Sequence, residues 1–140
     1  MTRDSLSRRL RARGWRLTRQ RQAVVAFLDE AQGHVTAEEV HAAVQTGATP
    51  ISLATVYNTL TTLAAMGELG EVRAGRGPTR FDPTVRPHDH LLCDACRRLI
   101  DIEPVLAPEV ELPAARRRGF VVDRVDVLVR GRCRECAAAK

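Results

Sequence analysis

The sequence predicts an α+β protein in two parts, a helical first half and a smaller mixed α/β second half. Helical apolar spacing with recognisable caps dominates residues 5–66. After Gly67 the period shortens towards strand alternation, and Pro83 and Pro87 punctuate the chain between the halves. With 140 residues, 44% hydrophobic but only 4% aromatic, the chain can bury one ordinary core or two small aliphatic ones.

The elements follow in order. Leu6 and Leu10 share a face of a first helix over Ser5–Arg13, which Gly14 ends. Thr18 is placed to cap a second helix running to about Glu30, with Val24, Val25 and Leu28 inward. Thr36-Ala-Glu-Glu39 is a capping box that opens a third helix, which buries Val40 and Val44 and ends near Gly47. Ser52 caps a fourth helix to about Met66, with Leu53, Val56, Leu60 and Leu63 at helical spacing. Leu69–Arg73 and Thr79–Asp82 read as two short strands around the turn Gly75-Arg76-Gly77-Pro78. Helices followed by a small hairpin are the order of a winged helix-turn-helix, whose last helix before the hairpin enters the DNA major groove. This domain is expected over residues 1–82, with a linker at 83–87 and a second domain over 88–140. There, His88–Cys93 and Leu99–Ile102 read as strands, and a short helix is expected within Glu109–Arg118. Phe120–Arg130 reads as one long strand, because Val121, Asp123, Val125, Val127 and Val129 alternate with their neighbours.

Charge narrows the partners. The net charge is +5, and residues 1–27 hold eight arginines against the single acid Asp4. Such a field attracts a polyanion, with Arg16, Arg19 and Arg21 among the candidate DNA contacts; a solvated arginine-rich tail is the plainer alternative. The outward face of the fourth helix offers Ser52, Thr55, Asn58, Thr59 and Thr62 and carries no acid, which suits base edges and phosphates better than an ordinary solvated face. No apolar run approaches 18 residues, and the N-terminus is too polar for a signal peptide, so no membrane association and a cytoplasmic location are expected.

The metal chemistry divides into two sets. Cys93-x-x-Cys96 and Cys133-x-x-Cys136 suit a tetrahedral Zn²⁺ held by four thiolates; two separate redox motifs are the alternative. On a strand, His88 and His90 project from one face, while Asp89 and Cys93 fall on the other. The histidines therefore need partners other than the cysteines. Asp82, Asp101 and His34 are the candidates, and a site of His34, Asp82, His88, His90 and Asp101 would suit Mn²⁺ or Fe²⁺. Such a site would clamp the first domain to the second and act as a switch.

The segments GWRLTRQRQAVVAFL (14–28), GHVTAEEV (33–40), ISLATVYNTLTTLAAMGEL (51–69), TRFDP (79–83), HDHLLCDAC (88–96) and GRCREC (131–136) together resemble the ferric uptake regulator (Fur) family of metal-dependent bacterial repressors. The resemblance covers nearly the whole chain. It implies a homodimer with an N-terminal winged helix and a C-terminal α/β dimerisation domain, acting on a palindromic, A/T-rich double-stranded operator. It implies structural Zn²⁺ at the four cysteines and a regulatory site at the five His/Asp residues already named. It also implies that Tyr57 and its neighbours meet DNA bases.

Aspartate at position 101, where iron sensors usually have glutamate, is similar to the peroxide-responsive (PerR) and manganese-responsive (Mur-like) branch. In peroxide sensors, bound Fe²⁺ leads to oxidation of a ligand histidine, by similarity His34 or His90. Asp82 stands where zinc-uptake regulators place a cysteine. Pro87 and Val125 occupy positions where many relatives carry the histidines of an additional metal site, so that site is expected to be absent or weakened. Asn58 replaces the usual arginine after VY. The chain is not expected to be an enzyme: a metal-dependent hydrolase lacks support from any HExxH or GxSxG motif, and a zinc-ribbon interaction module is the remaining alternative.

Overall fold

The structure, a computed structural model, describes residues 5–45, 47, 50–73, 77–83, 86–106 and 112–139. The chain divides into two compact units, Met1–Val85 and Arg86–Lys140.

In the first unit, α1 (Leu6–Ala12) is capped by Ser5, whose Oγ accepts the Arg8 N–H. α2 (Arg19–Glu30) is capped by Thr18. β1 (Val35–Thr36) leads into α3 (Ala37–Val44), which has both bonds of the capping box: Thr36 Oγ1 accepts the Glu39 N–H, and Glu39 Oε2 accepts the Thr36 N–H. Thr36→Ala is expected to remove one of these bonds and cost about 1 kcal/mol, read as a fall in the urea midpoint of this unit. α4 (Leu53–Ala65) starts at Ser52. β2 (Gly70–Val72) and β3 (Arg80–Asp82) complete the unit, with strand order β1-β3-β2. The turn expected at Gly75–Pro78 lies partly outside the described residues.

These elements enclose an aliphatic core of Leu6, Leu10, Val24, Val25, Leu28, Val40, Val56, Leu60 and Leu63 around one aromatic, Phe81. α1 is tied down by polar contacts as well. Asp29 Oδ1 accepts the Leu6 N–H, and Glu68 accepts from Arg9 Nε at 3.0 Å and from Arg13 Nη1 at 3.1 Å. Part of the N-terminal positive charge therefore holds the fold together.

Two expectations for α4 are corrected. Thr59 does not face outward: it is buried, because it shares the Val56–Leu60–Leu63 stripe at i+3 spacing. Leu53, expected inward, is 41% exposed. A strand pairing was also missed. β1 joins β3 antiparallel, with Val35 opposite Phe81, and so turns the two-stranded hairpin into a three-stranded sheet.

The second unit contains β4 (Asp89–Cys93), β5 (Leu99–Ile102), α5 (Pro113–Arg117), β6 (Leu128–Gly131) and α6 (Arg134–Ala138), with sheet order β5-β4-β6. β4 pairs antiparallel with β5 and parallel with β6. The helix expected within Glu109–Arg118 is the shorter α5, beginning at Pro113; residues 107–111 lie outside the described residues. The long strand expected over Phe120–Arg130 is corrected to Leu128–Gly131. A strand extends only as far as its ladder. β4 supplies partners from His90 opposite Leu128 onwards, and the preceding Val127 N–H goes to the Asp89 side chain instead.

Candidate metal centres and nucleic-acid interface

The cysteine cluster is assembled by the parallel β4–β6 pairing. Cys93 ends β4 opposite Gly131, which brings Cys133 and the start of α6 alongside the turn that carries Cys96. The Asp94 N–H donates to the Gly131 carbonyl at 2.8 Å and fastens this junction. Ligand atoms of all four cysteines lie within 4.8 Å of one another, and the Cys96 and Cys133 sulfurs are 3.9 Å apart. Four thiolates about 2.3 Å from a tetrahedral Zn²⁺ would sit about 3.8 Å apart, so the spacing fits the ion. Cys93 Sγ accepts the N–H groups of Cys96 (3.5 Å) and Cys133 (3.3 Å). These donors stabilise the thiolate and hold its pKa down at about 6. Cys136 is pushed up to about 12, chiefly by its side-chain hydrogen bonds to Cys133 and then Cys93.

The His/Asp candidates form one set in each unit. In the first, His34 precedes β1. Continuing the β1–β3 register by one residue sets it opposite Asp82, and His34 Nε2 lies 3.1 Å from Asp82 Oδ2. Both side chains are buried, at 8% and 1% exposure. In the second unit His90 is the cross-strand partner of Asp101. Asp101 Oδ1 is 3.3 Å from His90 Nε2 and 3.7 Å from His88 Nε2, and the two imidazoles meet edge to face at 4.6 Å between centroids. Each set offers nitrogen and carboxylate oxygen without sulfur, donors suited to Mn²⁺ or Fe²⁺.

Asp89, between the two histidines, has a role the sequence reading did not assign. It is 3% exposed, and its two oxygens accept the Val105 N–H at 2.7 Å and the Val127 N–H at 2.9 Å. Those two donors, Val105 first, hold its carboxyl below the ordinary aspartate range against the opposing effect of burial. Asp89 thus brackets β4 to the chain beyond β5 and to the entry of β6.

Of the DNA candidates, Arg16 and Arg19 are exposed at the entry to α2. Arg21 is half-buried, with its guanidinium 4.3 Å over the Trp15 ring and a 2.8 Å bond from Nη1 to the Arg16 carbonyl. Ser52 and Thr55 are engaged with each other at the start of α4, where Ser52 Oγ donates to Thr55 Oγ1 at 2.9 Å. Tyr57 is 42% exposed with its ring edge-on to Phe81, and Asn58 is exposed beside it.

The model of the Ferric uptake regulator family matches residues 12–130. The peroxide-responsive repressor PerR of Staphylococcus aureus is 33% identical over 127 residues, 91% of this chain and 86% of that protein. The ferric uptake regulator of Pseudomonas aeruginosa, solved with manganese, superimposes with a TM-score of 0.68 at 28% identity, over 91% of this chain and 97% of that one. A zinc-bound manganese uptake regulator gives 0.65 at 25% identity, over 93% and 99%. Among the described residues, no helix is long and apolar enough to cross a membrane. With a family match along most of its length, a thiolate cluster spaced for zinc and two nitrogen–oxygen donor sets, the chain belongs to the ferric uptake regulator family.

Proposed function

We propose that this protein is a Mn²⁺- or Fe²⁺-responsive repressor that binds a double-stranded operator as a homodimer in the cytoplasm. The observation that carries this reading is the pair of preformed donor sets, His34 with Asp82 and His88 with His90 and Asp101, each with its ligand atoms already convergent. We assign all five residues to one regulatory ion. Occupancy would then couple residues 1–82, a winged-helix reader, through the linker 83–87 to residues 88–140, a dimerisation domain. The ion supplies charge and coordination; the chain's part is to hold neutral imidazoles and ionised carboxylates at fixed spacing.

Zn²⁺ at Cys93, Cys96, Cys133 and Cys136 is the structural cofactor in this reading. Arg16, Arg19 and Arg21 are assigned to phosphates or to positioning the turn before α2; Ser52, Thr55, Tyr57 and Asn58 are assigned to the major-groove face. The homodimer is supported by the many large apolar side chains that the second unit leaves exposed, among them Leu91, Ile100, Val121 and Val129.

A second reading, peroxide sensing, is favoured by Asp101 and by the peroxide-responsive relative. Here Fe²⁺ held by these five residues would promote the reaction with H₂O₂ as the two-electron oxidant: one peroxide oxygen would be inserted into a ring C–H of His34 or His90 and the other would leave as water.

Both readings are tested by a DNA-shift titration of zinc-loaded protein with Mn²⁺, Fe²⁺ and Zn²⁺, repeated after H₂O₂. Tight binding should require Mn²⁺ or Fe²⁺ and be lost in His90→Ala. DNA binding indifferent to these metals would sink the metal-responsive reading. Survival of the Fe²⁺ complex through peroxide, with neither histidine gaining oxygen, would sink the second.

A further inference from the structure

We propose that Asn58 is the residue that reads sequence, recognising adenine in each half-site, and that the helix carrying it has no guanine-directed contact. The proposal rests on the DNA-binding reading above and deepens it.

α4 and its Ser52 cap carry no charged side chain. Their hydroxyls look like base-reading groups in the sequence, yet the structure commits the protons of four of them within the helix. Ser52 Oγ donates to Thr55 Oγ1 at 2.9 Å, and Thr59 Oγ1 donates to the Thr55 carbonyl at 2.8 Å. Thr61 and Thr62 both donate to the Asn58 carbonyl, at 3.0 and 2.8 Å. A hydroxyl bonded back to its own helix is a poor donor to a base edge.

The Asn58 side chain is different. It is exposed, Thr61 and Thr62 bond to its main-chain carbonyl, and its carboxamide makes no bond to any other described residue. A carboxamide offers one acceptor and one donor side by side, the complement of N6–H and N7 at the adenine edge in the major groove. Two neighbours strengthen the case. Ala54, one turn back on the same face, and the adjoining Tyr57 ring are exposed, and apolar groups of this kind suit the methyl group of thymine. The combination of one carboxamide without a partner among the described residues and a helix with no charged side chain selects A·T pairs. Guanine is read best by the forked donors of arginine, and α4 has none.

The test uses full-length, zinc-loaded, Mn²⁺-saturated protein and selection from a pool of random duplexes. Wild type should enrich a fixed A·T pair in each half-site. Replacing that adenine by 7-deazaadenine, which lacks N7, should weaken binding severalfold. Asn58→Ala should lose about 5- to 150-fold of discrimination at that pair while leaving preferences elsewhere intact. Asn58→Arg should move the preference at the same position to guanine. If Asn58→Ala lowers affinity for every duplex by one common factor, or keeps the adenine preference, the assignment is wrong although the protein binds DNA. If wild type enriches no duplex in a Mn²⁺-dependent way, the DNA-binding reading fails and this proposal fails with it.

Discussion

Cys93→Ser is expected to strip the zinc from the protein and unfold residues 86–140 while leaving the first unit folded. The asymmetry follows from how the two units are held. The first has its own aliphatic core closed around Phe81. In the second, the buried apolar side chains among the described residues are Leu92 and Cys93 alone. So small a core cannot offset the conformational entropy of folding without a staple. A structural Zn²⁺ site contributes about 10–16 kcal/mol of apparent binding free energy near pH 7, most of which appears as folding free energy. Cys93 is the most consequential ligand to remove, since its sulfur also collects the Cys96 and Cys133 N–H groups that shape the knuckle. Zinc content by elemental analysis and thermal unfolding by circular dichroism would be measured together. The expected result is loss of zinc, a diminished strand signal and survival of a cooperative helical transition. Retention of one zinc per chain with an intact second unit would contradict this account. Stripping zinc from wild type with a chelator should reproduce the variant.

The second large effect is expected at Asp89. Replacement by alanine leaves the Val105 and Val127 N–H groups without their acceptor, Asp89 being buried while Val105 is 53% exposed, so water can recover part of the bonding. A hydrogen bond to a charged group contributes about 1.5–3 kcal/mol net, and with water recovering part of the loss the two together should cost about 2–4 kcal/mol. Asp89→Asn separates hydrogen bonding from simple occupancy of space. Its carbonyl oxygen can accept one N–H, while its NH₂ turns a donor towards the other, so it should recover only part of the loss. Urea unfolding of the zinc-loaded variants, with free zinc buffered, reads both values. An alanine variant within 0.5 kcal/mol of wild type, a margin typical of roughly neutral surface substitutions, would mean the bracket carries no weight.

The parts of the molecule that could be read from the sequence are those decided over a few residues. Thr18, Thr36 and Ser52 each cap the helix expected of them, because a cap needs only the N–H two or three positions ahead. The separation of cysteines from histidines on β4 follows from strand alternation, and thiolate chemistry nominates zinc before any contact is known. Tertiary structure decided the rest. Val35–Thr36 is too short to announce itself as a strand, yet its pairing with β3 is what sets His34 against Asp82. Thr59 reads as polar and outward until helix packing assigns its stripe to the core. The last strand stops where β4 ceases to offer a ladder, and Asp89 becomes a bracket only when Val105 and Val127 arrive from elsewhere in the chain. In each case the deciding partner is distant in sequence. Periodicity and capping depend on a residue's near neighbours, whereas ladder length, burial and hydrogen-bond acceptance depend on which distant segment folds against it.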